Sequence, residues 1–148
     1  ARANQPLTAG LYYLRPFLEA KLNPVCLELS DIVTFHAYFN RTETEKIVAR
    51  LEQHKRPMVC SEYLARSEGN TFEAIMPLFK QKKIGAINWG LVAGKTQTMY
   101  SWEEFYPDGA EPPLWFHDIL RQDGTAYSEK ETEFIKKMTS SDEKIMSN

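Results

Sequence analysis

Apolar residues along this chain gather in short runs, each ending in a polar or aromatic residue, with helix-periodic stretches between them. Asp31 to Phe35 leads into His36 and Tyr38, Pro57 to Ser61 leads into Glu62 and Tyr63, and Ile84 to Asn88 leads into Trp89. Short apolar runs of this kind read as buried parallel strands. The three tips fall at nearly equal intervals and each gap holds a helix-like segment, which predicts repeated right-handed crossovers onto one parallel sheet with all strand ends along one rim. Pro6 to Tyr12 reads as an earlier strand. Four parallel strand-helix units make half of a (β/α)8 barrel, so the expected fold is α/β, with the half-barrel over residues 1–139 and a polar tail at 140–148. An isolated half has an apolar inner face and two raw strand edges that need cover.

Helix signals fill the gaps. Pro24 to Leu29 reads as a short helical turn or helix. Thr42-Glu43-Thr44-Glu45 has the form of a capping box and predicts a helix to about His54, with Ile47, Val48 and Leu51 on its buried face. Asn70 or Thr71 caps the next helix, which buries Phe72, Ile75, Met76 and Phe79 and is expected to kink or break at Pro77. Leu114 to Leu120 predicts a short helix, and the capping box Ser128-Glu129-Lys130-Glu131 starts a last one reaching about Met138. Between Trp89 and Leu114 lies a long Gly- and Pro-containing stretch, and long loops at a carboxyl rim commonly carry function.

Composition narrows the classes. With 148 residues, 43% apolar and 26% charged, the chain has the makings of one domain with a sizeable core. A net charge of −2 with scattered Lys and Arg provides no basic stripe for nucleic acid, and no apolar run is long enough to span a bilayer. Cys26 and Cys60 make no disulfide framework, and Cys60, inside a strand, reads as a buried free thiol. The start, Ala1 to Pro6, has no initiating Met and no apolar signal segment, so the chain is expected to come from inside a longer protein.

Glu62 is the first candidate for chemistry, because a carboxylate ending an apolar strand is desolvated among fixed neighbours, the usual route to catalytic character. A salt-bridged structural Glu is the plainer alternative. His36 and Tyr38 are two apart and so point the same way from their strand end. Trp89, beside Asn88 and Gly90, suits the apolar face of a sugar ring, although it is equally a packing residue, and Trp102 in the following aromatic-rich stretch is a further candidate, of a kind that singly is more often packing than ligand contact. Three other readings fail. Gly90-Leu91-Val92-Ala93-Gly94-Lys95-Thr96 is one residue too short for a phosphate loop. The three His with the two Cys form no metal-ligand motif. Ser61 with His36 lacks the nucleophile elbow. No metal and no cofactor is expected.

Together, Gln5-Pro6-Leu7-Thr8-Ala9-Gly10, Phe35-His36-Ala37-Tyr38, Ser61-Glu62-Tyr63 and Asn88-Trp89-Gly90, with Trp115-Phe116-His117-Asp118 and Asp123 to Tyr127, resemble strands five to eight of the clan A retaining glycoside hydrolases, most of all the cellulase-like family 5 type. The resemblance implies that Glu62 is the nucleophile, that His36 and Tyr38 contact substrate and orient it, and that Trp89 is the sugar platform. It implies a β-linked polysaccharide or oligosaccharide as substrate, and secretion or a periplasmic location for the parent protein. The partner acid in such enzymes lies about 5 Å from the nucleophile, on strand four in an Asn-Glu pair, and the chain has no Asn-Glu dipeptide. Leaving-group protonation contributes about a hundredfold to ten-thousandfold, so the chain alone is expected to be nearly inactive. Arg66, Glu68, Glu103 and Glu104 sit on loops, and none is marked as a replacement acid. The implied partner is therefore the N-terminal half-barrel, or a second copy of the chain in a non-catalytic, self-assembling or sugar-binding half-barrel.

Overall fold

The computed structural model describes residues 4–11, 21–102, 106 and 109–140. Among them the fold is α/β, with a three-stranded, all-parallel open sheet and four α-helices: α1 (Leu22–Leu29), β1 (Val33–Ala37), α2 (Arg41–Leu51), β2 (Met58–Tyr63), α3 (Phe72–Lys82), β3 (Gly85–Ala86) and α4 (Glu129–Thr139). The sheet order is β1-β2-β3, so each crossover places the next strand beside the last, as the repeating pattern predicts.

β1 and β2 define the geometry of everything else. Val33, Thr34 and Phe35 pair with Met58, Val59 and Cys60 in continuous register, but His36 then pairs with Glu62 and Ala37 with Tyr63. Ser61 is the extra residue of a β-bulge. Side chains alternate with period two, so one extra residue exchanges the faces of all that follow. Without the bulge, this sequence would set Glu62 opposite Ala37, inside the core. With it, Tyr63 turns inward and Glu62 joins His36 on the other side.

The inward side of the sheet packs on α2 and α3. Val33, Phe35, Ala37, Cys60 and Tyr63 meet Ile47, Val48 and Leu51 of α2 and Phe72, Ile75, Leu78 and Phe79 of α3 in one buried cluster. Phe79 receives the edges of both strand aromatics, at 6.3 Å from Phe35 and 5.6 Å from Tyr63. Met76 is only partly buried and Leu78 takes the place expected for it; Pro77 lies inside α3 without ending it.

Helix ends are fixed by side chains, partly as predicted. α2 begins one residue before the Thr42 capping box, because Asn40 accepts the Glu43 amide and so supplies the cap; Glu45 pairs with Arg41 instead. Thr71 caps α3. Ser128 caps α4, but Glu131, the expected reciprocal partner, is taken by Arg66. α1 is a helix that starts two residues before the expected Pro24, and the Arg56 guanidinium donates to the carbonyls of Leu27 and Ser30 at its end.

Three expectations are corrected. The first strand does not form a ladder: Leu7 and Leu11 bond to Asp31 and Thr34 of the β1 neighbourhood in parallel sense, but the Leu7 amide goes to the Asp31 carboxylate and the Ala9 amide to the Ser30 hydroxyl. These side chains take the place of strand partners, and the end of the predicted strand at Tyr12 lies outside the described residues. The fourth strand shrinks to Gly85–Ala86; the Ile87 amide still donates to the Cys60 carbonyl, just before the β2 bulge, and the Trp89 amide to the Tyr63 carbonyl, past it. Residues 114–120 form no helix, because the amides of Phe116, His117, Ile119 and Leu120 donate across to Met99, Thr98 and Leu91 instead of along their own segment. Most of the tail, at 141–148, and Glu103 and Glu104 lie outside the described residues. No helix among the described residues is long and apolar enough to cross a membrane.

Candidate functional site at the carboxyl rim

Glu62 leaves the sheet on the face opposite the helices, near the carboxyl ends of β1 and β2. Its Oε2 accepts the Tyr38 hydroxyl at 2.7 Å and lies 3.1 Å from His36 Nδ1. Both contacts fall on the same oxygen, so among the described residues Oε1 is left for an incoming group. The Glu62 side chain is 23% exposed and that of His36 43%, a site open to solvent on one side. The three residues expected to work together from sequence are thus within contact of one another.

Tyr38 is the fixed member of this trio. Burial, then the hydrogen bond to Glu62, raises its phenol well above the ordinary value, so it stays a hydroxyl donor to the carboxylate. Its ring is met edge-on by Trp102 at 5.1 Å, and Trp102 in turn lies 4.7 Å from Phe116 and 5.6 Å from His117. Trp102 is 62% exposed and forms an aromatic wall beside Tyr38. Trp89 is 44% exposed on the same rim, its amide donating to the Tyr63 carbonyl, but among the described residues it makes no ring contact with the cluster.

Several residues that support the site were not singled out from sequence for this role. His117 is buried behind Tyr38 and Trp102; its Nδ1 donates to the Leu64 carbonyl, which fixes the tautomer and leaves Nε2 an unpaired acceptor. Burial pushes its pKa below the ordinary value, against the opposing pull of the Leu64 carbonyl and the Asp118 carboxylate. Asp118 is itself buried and accepts the Thr98 hydroxyl on both oxygens at 2.9 Å. Gly90, with φ +82°, brings the loop after β3 against this pair: a Cβ there would come within 2.9 Å of the His117 Cβ and 2.8 Å of Asp118 Oδ1. The clue in the sequence was the segment Trp115 to Asp118, which marked a place without revealing a role.

Cys60, directly before the bulge, donates from its thiol to the Glu62 carbonyl at 3.2 Å, and burial pushes that thiol up to about 12. It is a packed, unreactive sulfur. Arg66 is no loop residue reaching into a cleft: it is buried, bonded to the Trp115 and Asp118 carbonyls and paired with Glu131 at 2.7 Å. Glu68 is exposed. Among the described residues no second carboxylate joins the Glu62, Tyr38 and His36 bonds, and no three metal-capable side chains gather to hold an ion.

Chemically, the rim offers a carboxylate with one oxygen held and the other open, beside an imidazole and two exposed indoles. Such a group acts as a nucleophile, a base or a polar anchor. Comparison with family models, curated proteins and solved structures returned no match.

Proposed function

We propose that this chain is the nucleophile-bearing, C-terminal half of a (β/α)8 retaining β-glycosidase acting on β-linked polysaccharide or oligosaccharide. The observation that carries the reading is the bulge-directed Glu62, at the carboxyl end of a parallel strand, with Oε2 held by Tyr38 and His36. In this reading Glu62 Oε1 attacks the anomeric carbon, the bond to the leaving oxygen breaks, and an acid from outside the described residues protonates that oxygen. Water then cleaves the glycosyl ester with the same group acting as base. Trp102 and Trp89 supply flat apolar faces for the sugar, and Tyr38 holds the carboxylate in line.

The finer fold, half of an eightfold barrel, is supported by what the two flanks expose. On the β1 flank Leu22, Val25 and Leu29 of α1 are exposed at helical spacing, and on the β3 flank Ile87, Leu91 and Val92 are exposed. A complementary half covers both flanks and pairs both strand edges. The test is direct. Incubating the chain with a complementary N-terminal half and a 2-fluoro activated glycoside is expected to add one sugar mass at Glu62, and Glu62→Gln to abolish it. Turnover with no adduct at Glu62 would discard the nucleophile role.

The same exposed flanks favour a second reading, in which two copies close on each other as a non-catalytic, sugar-binding ring. Light scattering separates the two: a stable homodimer without glycosidase turnover supports self-assembly, and a monomer activated by the added half supports the enzyme.

A further inference from the structure

We infer that Asn70 is a positioning residue for the Tyr38–Glu62 pair, acting through the backbone just beyond both strands. Its side chain is fully buried and makes three hydrogen bonds at the rim. The amide nitrogen donates to the Ala37 carbonyl at 2.9 Å and the Phe39 carbonyl at 2.5 Å, while the amide oxygen accepts the Leu64 N–H at 2.8 Å. Ala37 and Phe39 are the two neighbours of Tyr38, and Leu64 is two residues past Glu62. One side chain therefore joins the two backbones whose own side chains meet at Glu62 Oε2.

The joint is under load. Leu64 is buried with φ +83°, a left-handed conformation that a branched residue avoids unless its surroundings hold it. Both of its backbone polar groups are held by side chains, the N–H by Asn70 and the carbonyl by His117. Asn70 is itself set by its place in the chain. It closes a short bridge with Ala65 through bonds of 3.0 and 3.2 Å, follows the left-handed Gly69, and precedes Thr71, the cap of α3. Removing its side chain frees the Leu64 N–H, lets that residue relax toward ordinary φ, and unties the end of β1 from the end of β2. Tyr38 lies within one released segment and Glu62 just upstream of the other, so their bond is the contact that shifts. A buried polar side chain with three satisfied bonds is also an ordinary core feature, so the test must separate positioning from stability.

As a statement about catalysis this inference rests on the glycosidase reading, but its test uses no sugar, and the two fail separately. The exchange of the Tyr38 hydroxyl proton and its ring Cζ resonance are followed by NMR near neutral pH in tyrosine-labelled chain. In Asn70→Ala the hydroxyl is expected to exchange about tenfold faster or more, with a shift of the Cζ resonance, as expected for a lost charge-assisted bond. Val48→Ala, a buried change on α2 far from the rim, lowers stability and is expected to leave both signals in place. Should Asn70→Ala not fold, Asn70→Ser, which keeps a short polar group, gives the same readout. A Tyr38 hydroxyl as protected in the folded Asn70 variant as in the parent would overturn the inference.

Discussion

Two faces of one small sheet, built from alternate residues of the same two strands, have opposite characters. Toward the helices, Val33, Phe35, Ala37, Cys60 and Tyr63 are sealed in a single apolar cluster. Away from them, Thr34, His36, Ser61 and Glu62 stay partly open and make polar bonds, including a Thr8–Thr34 hydroxyl contact at 2.6 Å. The closed face holds the apolar core and the open face the polar groups of the candidate site. What separates them is parity, and the one place where parity is broken, at Ser61, is where Glu62 is sent to the open side.

The largest test of that contrast is to remove one residue from either strand. Deleting Ser61 leaves Phe35 opposite Cys60 and His36 opposite Glu62 in a regular ladder, so the fold is expected to survive with a loss under about 1.5 kcal/mol. Deleting Thr34 from the unbulged β1 exchanges the faces of neighbouring residues, exposing Phe35 or burying His36. Small domains have only about 5–15 kcal/mol in total, and this is expected to abolish cooperative urea unfolding. Equal damage from both deletions would sink the bulge account.

A point substitution on each face sharpens the same contrast. Phe35→Ala, at a fully buried ring packed on Phe79, is expected to cost about 3–5 kcal/mol in chemical denaturation. The adjacent His36→Ala, on the open face with a solvent-screened contact to Glu62, is expected to stay within about 1 kcal/mol.

The smallest effect is a pH dependence where the open face meets its buried support. His117 has a folded-state pKa below its ordinary 6.5, so the unfolded chain takes up a proton first as the pH falls. Stability from its neutral form is therefore complete above pH 6.5 and is lost below it, with a slope of at most about 1.4 kcal/mol per pH unit. His117→Asn keeps a donor for the Leu64 carbonyl but cannot titrate. Its unfolding curves at pH 7 and pH 5 are expected to differ less than those of the parent.

Much of this arrangement was legible in the sequence, and the failures have physical causes. β1, β2, α2, α3 and α4 follow from apolar periodicity and from Ser, Thr and Asn at helix starts, although Asn40, two residues ahead of the Thr42 box, supplies the cap and leaves Thr42 inside the first turn. His36, Tyr38 and Glu62 were legible as a group because strand ends that are close in a parallel sheet are spaced regularly in the chain. The bulge left a trace that was not read: inward residues at Met58, Cys60 and Tyr63 are separated by two and then by three. Residues 114–120 have the apolar content of a helix, but only the presence of the 91–99 loop decides where their amides go. Asn70 and His117 were hidden for the same reason. Their partners are backbone carbonyls and amides of other segments, which no side-chain pattern records.

The Arg66–Glu131 pair has a consequence for how the chain tolerates shortening. Arg66 lies three residues beyond β2 and Glu131 in the first turn of α4, with the guanidinium over the Tyr127 ring, 5.0 Å from its centroid. The final helix thus works as a buckle, clasping the loop after β2 from a point far downstream. Trimming the chain ahead of Tyr127 would strand a cation in a dry interior and loosen the Trp115 to Asp118 segment whose carbonyls it holds.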